Sequence, residues 1–345
     1  MLISNLQYFQ LFIITSFIVG LVTPIMRKIA VKKRILDFPT SAHKSHTKAI
    51  PYLGGLAILI GVVTVSYSAL FFSNSTFSNF WLATSVLGPA IAMGFVGLWD
   101  DIKNLPPLLR FIAQSLSGIF ISIVLIVNSS IANPTGSTFL DILLTVFWVV
   151  GISNSINFFD NLDGGAAGTA AISAIFITYL AIKSDQTFVS ALSVVVAGAT
   201  LGFLAWNKSP AKIYMGDAGA LFLGVLLATL TIRLKPSVET TLGSFSIPVL
   251  ILAIPILDTC IAVFSRLRRG VSPFQGGKDH LSHRLVRVGM SRKIAALVLW
   301  LLSALFGLFA VVITLVSKES EPFFVFGFML LWIVLFFGFF RTSDN

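Results

Sequence analysis

Long apolar runs separated by short polar stretches recur along the whole chain, and their length sets the fold. A run of roughly 18 or more apolar residues is long enough to cross a bilayer as a helix. Eleven such runs are readable, at 8–26, 53–72, 80–99, 111–127, 142–159, 166–182, 188–206, 218–232, 245–264, 294–316 and 323–340. The eighth is short, and the fifth and sixth are barely separated. The first runs straight into "RKIAVKKR" without a small-residue cleavage site, which reads as a retained helix and not as a signal peptide. The pattern predicts an all-α polytopic membrane protein of about eleven transmembrane helices. It forms a single membrane-embedded domain over 1–345, with no soluble domain.

Composition agrees. Of the 345 residues 56% are hydrophobic and 11% charged, against about 25% charged in a soluble domain. Cys260 stands alone, so no intrachain disulfide forms. Charge adds an orientation, because Lys and Arg gather in cytoplasmic loops. If alternate loops are assigned to opposite sides, the segments after odd-numbered runs hold 20 of the 24 basic residues. The expectation is an outside N-terminus and a cytoplasmic C-terminus. Attraction to anionic lipid headgroups accounts for many of those basic residues. Nothing in the pattern calls for nucleic acid.

The acidic residues have no such simple account. Asp100 and Asp101 close the third run in "GLWDDIKNLPP", and Asp160 and Asp163 follow the fifth in "NFFDNLDGGAAG". Asp217 opens the eighth in "NKSPAKIYMGDAGA", and His280, His283 and Arg284 lie in "GGKDHLSHRL" after the ninth. The topology drawn from Lys and Arg alone brings all of these to one face. Ionisable groups at membrane depth are costly and mark function by default. Carboxylates gathered on one face repel unless a cation joins them. Mg²⁺ typically takes one or two carboxylates plus substrate phosphates. Glycines beside Asp163 and Asp217 allow close backbone approach to a ligand, and helix N-termini favour anions.

In order, "HTKAIPYLGGLAI", "GLWDD", "NFFDNLDGGAAG", "NKSPAKIYMGDAGALFLG" and "SPFQGGKDHLSHRL" resemble the motifs of the polyprenyl-phosphate N-acetylhexosamine-1-phosphate transferases. The resemblance implies transfer of a phospho-aminosugar from a UDP-N-acetylhexosamine to a polyprenyl phosphate such as undecaprenyl phosphate, with release of UMP. It implies Mg²⁺ as cofactor, Mn²⁺ as a substitute, and a bacterial plasma membrane with the active site on its cytoplasmic face. Carried over by position, Asp100 and Asp101 match the family's aspartate pair, one binding metal and the other taking a proton from the lipid phosphate; the metal ligands are then Asp101 and Asp217. Asp160 matches a further catalytic carboxylate, and Asn157 and Asp163 line the nucleotide site. Asn207 matches a position near the uracil, and Tyr214 an aromatic one over that base. Lys48 matches a basic position near the polyprenyl phosphate. His280, His283 and Arg284 match the loop that contacts the diphosphate.

Family members often carry consecutive histidines in that loop, whereas here Leu281 and Ser282 intervene. This resembles the branch that makes undecaprenyl-diphospho-aminosugars for wall and surface glycans more than the phospho-MurNAc-pentapeptide translocase, which stays as the alternative. Asp258, in "IPILDTC", fits the first branch, and also fits a residue that merely packs helices. A transporter is disfavoured because its carboxylates would sit near the midplane, often within inverted repeats. The aspartate arrays of CDP-alcohol phosphatidyltransferases and prenyl synthases are missing. The exact sugar, the lipid length and the oligomeric state, a homodimer included, stay open.

Overall fold

A computed structural model describes residues 3–37, 49–73, 75–127, 135–273 and 277–342. Among the described residues ten helices are long and apolar enough to cross a membrane. They are α1 (Asn5–Lys33), α2 (Gly54–Phe72), α3 (Phe77–Lys103), α4 (Pro107–Val127), α5 (Thr138–Phe159), α6 (Gly165–Lys183), α7 (Thr187–Asn207), α8 (Gly216–Arg233), α12 (Arg292–Ile313) and α13 (Glu321–Arg341). Three shorter helices, α9 (Thr241–Ile251), α10 (Ala253–Arg268) and α11 (Leu281–Arg287), complete the helical set among the described residues. A two-residue antiparallel ladder joins β1 (Leu36–Asp37) to β2 (Ile50–Pro51). The chain is a polytopic helical membrane protein.

The ninth apolar run departs from a straight span. It is the pair α9 and α10, bent by 74° at Leu252. Proline has no backbone N–H and frees the carbonyl four residues earlier. Pro255 thus leaves the Ile251 carbonyl without its helical donor, and the Ser173 hydroxyl of α6 donates to it instead at 3.0 Å. Trp332 of α13 donates to the Ala253 carbonyl at 3.0 Å. The same device serves α1, where Pro24 frees the Gly20 carbonyl and the Trp206 indole of α7 donates to it at 3.0 Å. Freed carbonyls cannot turn to water inside a bilayer, so neighbouring helices satisfy them.

The bundle is built around α8, in which every residue from Ala218 to Thr231 is buried. A helix apolar on all sides belongs in a core. It packs against α2, α3 and α5. At the other extreme only Glu321 of α13 is fully buried; one face of this helix, including Phe328 and Trp332, packs against the core, and the rest of its apolar residues are exposed, as in a span at the edge of a bundle. Close approach of α3 to the start of α8 depends on Gly97, where a Cβ would stand 2.2 Å from the Asp217 carbonyl oxygen. The ends of α3 and α5 and the starts of α4, α6 and α8 meet at one end of the bundle. Next to β2, Tyr214 N–H donates to Pro51 O at 2.9 Å and Gly54 and Gly55 donate to Tyr214 and Met215. That strap fixes the loop before α8 against the loop before α2.

Candidate active site

A cavity of about 620 Å³ opens at that end of the bundle. Among the described residues six aspartates line it, Asp37, Asp100, Asp101, Asp160, Asp163 and Asp217, with Arg110 the one Lys or Arg. The parity of the spans therefore places the five aspartates singled out in the sequence together, and adds Asp37.

Each carboxylate is placed by a specific local device. Asp101 accepts the backbone N–H groups of Asp217 at 2.9 Å and Ala218 at 3.1 Å, one on each oxygen. It thus caps α8 from another helix, satisfying donors that a helix N-terminus leaves free. Gly216 makes this approach possible: its φ is +69°, and a Cβ there would lie 2.6 Å from an Asp101 oxygen. Asp100 accepts the Leu105 N–H at 2.6 Å through Oδ1, closing the turn after α3, and its Oδ2 is 2.7 Å from Arg110 Nη1. Asp217 Oδ1 accepts the Asn157 side-chain amide at 2.6 Å, and Oδ2 is 3.3 Å from the same Arg110 nitrogen. The two oxygens that converge are therefore those of Asp100 and Asp217, whereas the expected metal pair was Asp101 and Asp217. Asp101 is the helix cap.

Asp163 accepts the Ala211 N–H at 3.1 Å and the Tyr214 hydroxyl at 3.4 Å, so it anchors the loop before α8. Burial, then the Asp163 charge, pushes the Tyr214 hydroxyl pKa up. Asp160, at the end of α5, carries a carboxyl raised to about 7 by burial and by the charges of Asp217 and Asp163. Asn207 is buried away from the cavity lining: its oxygen accepts Gly164 N–H and its amide donates to Ile213 O, both at 3.0 Å. It positions the loops around the site. Lys48 falls outside the described residues.

The histidine loop is held by a buried ionic network. Asp279 pairs with Arg266 at 2.8 Å and Arg269 at 2.7 Å. Burial pushes its carboxyl up, but the Arg266 contacts outweigh burial and leave it below the ordinary range. His280 has Nε2 3.1 Å from Arg266 Nη2 and Nδ1 2.7 Å from Asp258. Arginine only donates, so Nε2 accepts and Nδ1–H faces the Asp258 carboxylate. Both ring nitrogens are thus engaged within the protein. Asp258 also accepts the Leu281 N–H at 2.6 Å and sets the start of α11. His283 differs. It lines the cavity, its Nδ1 is buried without a partner, and burial lowers its pKa to about 4.

Arg284 overturns an expectation. It is fully buried beneath the loop and is absent from the cavity lining. Its guanidinium donates to the carbonyls of Asp279 at 2.9 Å and Phe339 at 3.0 Å, to the Thr342 carbonyl and to the Ser265 hydroxyl. It ties α10, α11 and the end of α13 together and is not a diphosphate ligand. Basic charge beside the cavity comes instead from Lys278, Arg287 and Arg292, around a side pocket of about 200 Å³ shared at Asn161, Leu162 and His283. Sequence reasoning missed Arg110, Arg266 and Asp279 as site residues. Arg110, in the first turn of α4, and Arg266, in the last turn of α10, read as topology markers, and Asp279 was passed over beside the histidines of its loop.

The fold and the cavity define a polytopic membrane protein with an acidic site, edged by basic residues, at one end of its helix bundle. Residues 83–235 match glycosyl transferase family 4. The chain is 34% identical over 307 residues to the "Probable undecaprenyl-phosphate N-acetylglucosaminyl 1-phosphate transferase" of Bacillus subtilis (strain 168), covering 88% of this chain and 84% of that relative. It is 33% identical to the decaprenyl-phosphate N-acetylglucosaminephosphotransferase of Mycolicibacterium smegmatis, with 84% and 77% covered. The phospho-N-acetylmuramoyl-pentapeptide-transferase of Streptococcus uberis is 32% identical over 61% of this chain and 66% of that relative. The chain belongs to glycosyl transferase family 4.

Proposed function

We propose that this protein transfers N-acetylhexosamine 1-phosphate, with GlcNAc as the sugar, from its UDP derivative to undecaprenyl phosphate and releases UMP. The observation that carries the reading is the convergence of six aspartates on one cavity at a membrane end, in a chain of this family. An oxygen of the lipid phosphate attacks the sugar-bearing phosphorus. The new O–P bond forms as the bond from that phosphorus to the bridging oxygen of UMP breaks.

Phosphoryl transfer needs positioning and charge compensation more than covalent help. Asp160, with its carboxyl near 7, is matched to take the remaining proton from a phosphate monoester, whose second pKa is about 6. Lys278, Arg287 and Arg292 offset the repulsion between two anionic reactants, and His283 offers an unengaged nitrogen beside them. The residues fit a hard divalent cation: two carboxylate oxygens, from Asp100 and Asp217, already face one positive nitrogen. Among the described residues no three acidic or imidazole groups form a ready-made metal cluster. That suits Mg²⁺, which binds through one or two carboxylates and completes its shell with phosphates and water. Bound there, Mg²⁺ supplies charge neutralisation that favours UMP as leaving group. The site faces the cytoplasm of a bacterial plasma membrane, a reading supported by the 20 basic residues assigned to that side.

The pentapeptide reading has less support, because the relative named for that activity aligns with a smaller share of the chain. Detergent-purified protein given undecaprenyl phosphate and either nucleotide tests the choice by UMP release. Turnover of UDP-GlcNAc without turnover of UDP-MurNAc-pentapeptide is expected; the reverse preference moves the protein to the second reading.

A further inference from the structure

Arg110 occupies an unusual position in a cavity that is otherwise acidic. It lies in the first turn of α4, after two prolines that fix where the helix begins. Its Nη1 stands 2.7 Å from Asp100 Oδ2 and 3.3 Å from Asp217 Oδ2. The other oxygen of each aspartate is committed elsewhere, to Leu105 N–H and to the Asn157 amide. The two remaining oxygens, from helices α3 and α8, are thus aimed at one nitrogen. One cation already holds the place where two carboxylates can share a charge.

We infer that Arg110 is a displaceable counter-ion: it offsets part of the charge of Asp100 and Asp217 while no divalent cation is bound, and a divalent cation competes with it for those two oxygens. The inference rests on the metal reading above and extends it. Two cations cannot share the pair of oxygens without strong repulsion at such short range. Arg110 is part exposed, with 28% of its side chain accessible, so it has room to leave. Its guanidinium then faces a cavity that holds phosphate, and planar guanidinium groups grip phosphate oxygens in pairs. Cation arrival and anion capture are thereby linked through one side chain. Without Arg110, the two facing carboxylates repel each other in the metal-free protein and bind a metal more strongly.

The test uses Mn²⁺ alone as probe, read by the electron paramagnetic resonance of free Mn²⁺ over full-length protein in detergent, without substrate. Arg110→Gln is expected to bind Mn²⁺ at least about tenfold more tightly than wild type, the change that 1.4 kcal/mol of relieved competition gives. Arg110→Lys keeps the charge and stays within about threefold of wild type on the same scale. Asp217→Asn abolishes tight binding in both backgrounds. A second measurement needs no substitution: the reactivity of Arg110 toward phenylglyoxal, followed by peptide mass spectrometry, rises when Mn²⁺ is added. Wild-type or weaker Mn²⁺ affinity in Arg110→Gln, or Arg110 reactivity that is unchanged or lowered by Mn²⁺, overturns the displacement while leaving the metal site standing. Failure of wild type to bind Mn²⁺, or full binding by Asp217→Asn, overturns the metal reading and the inference with it.

Discussion

At the scale of single residues, the two neighbours Asp100 and Asp101 have different work, and substitutions separate them. Asp217→Asn and Asp100→Asn remove charge from the cavity and are expected to eliminate most transfer activity while leaving the amount of folded protein unchanged. Asp101→Asn gives up one of two acceptors for the α8 amides, so its thermal midpoint falls as well, by an amount equivalent to about 1–2 kcal/mol. Equal stability of all three variants in detergent contradicts the capping role. Arg284→Ala acts through folding, because a buried guanidinium with four partners is removed. We expect a loss on the order of 3 kcal/mol, seen as reduced yield and thermal midpoint, with activity per folded molecule largely kept. His283, whose folded pKa of about 4 lies below its ordinary 6.5, supplies one component of the pH response. The unfolded chain takes up that proton first, so this component of stability falls as pH drops from 6.5 toward 4, against the gain from Asp160, whose raised carboxyl is protonated first in the folded chain. His283→Asn removes that component of acid sensitivity, and a midpoint that shifts with pH as in wild type over this window contradicts the assignment. The aspartates were legible because charge at the end of an apolar run demands a reason. Arg110 was not, since a basic residue at a helix end on the Lys- and Arg-rich side already has one, and Arg284 was legible as a candidate but not as a buried tie between helices.

At the scale of elements, the apolar pattern predicted the number of membrane-length runs but not their shape. The run at 245–264 has the length and composition of one span, and hydropathy says nothing about the direction of a helix axis. The 74° bend between α9 and α10 is dictated locally by Pro255 and held by partners distant in sequence, Ser173 and Trp332. Those partners look like ordinary members of α6 and α13 until the helices are packed. The bend matters for the site because α10 carries Asp258 and Arg266, which hold His280. Ser173→Ala leaves the Ile251 carbonyl unsatisfied and is expected to lower stability by about 1–2 kcal/mol, and with it the activity of the histidine loop. Unchanged thermal unfolding of Ser173→Ala in detergent removes the support for this account of the bend.

At the scale of the whole molecule, the parity of spans turns a linear scatter of aspartates into one cavity. The order of the spans was readable from hydropathy and from the 20-to-4 asymmetry of Lys and Arg, and no residue-level geometry was needed for it. The depth of α8, buried from Ala218 to Thr231, was not readable, because a core helix and a lipid-facing one are equally apolar. The side of the membrane is tested by single cysteines in a Cys260→Ala background. Positions Ser75, Gln186 and Ser237 are expected to react with an impermeant maleimide from outside, and Ser209 and Ser272 to be protected. Reaction at Ser209 from outside places the cavity on the wrong side for a cytoplasmic nucleotide. The central claim is that the cavity moves a phospho-sugar as a unit, and the fate of the β-phosphate tests it most directly. With UDP-GlcNAc radiolabelled at the β-phosphate and undecaprenyl phosphate as acceptor, the account predicts that label and sugar enter the lipid together, that UMP is released, and that Asp217→Asn abolishes all three. Sugar reaching the lipid while the label stays with released UDP, or lipid labelling by Asp217→Asn at the wild-type rate, contradicts it.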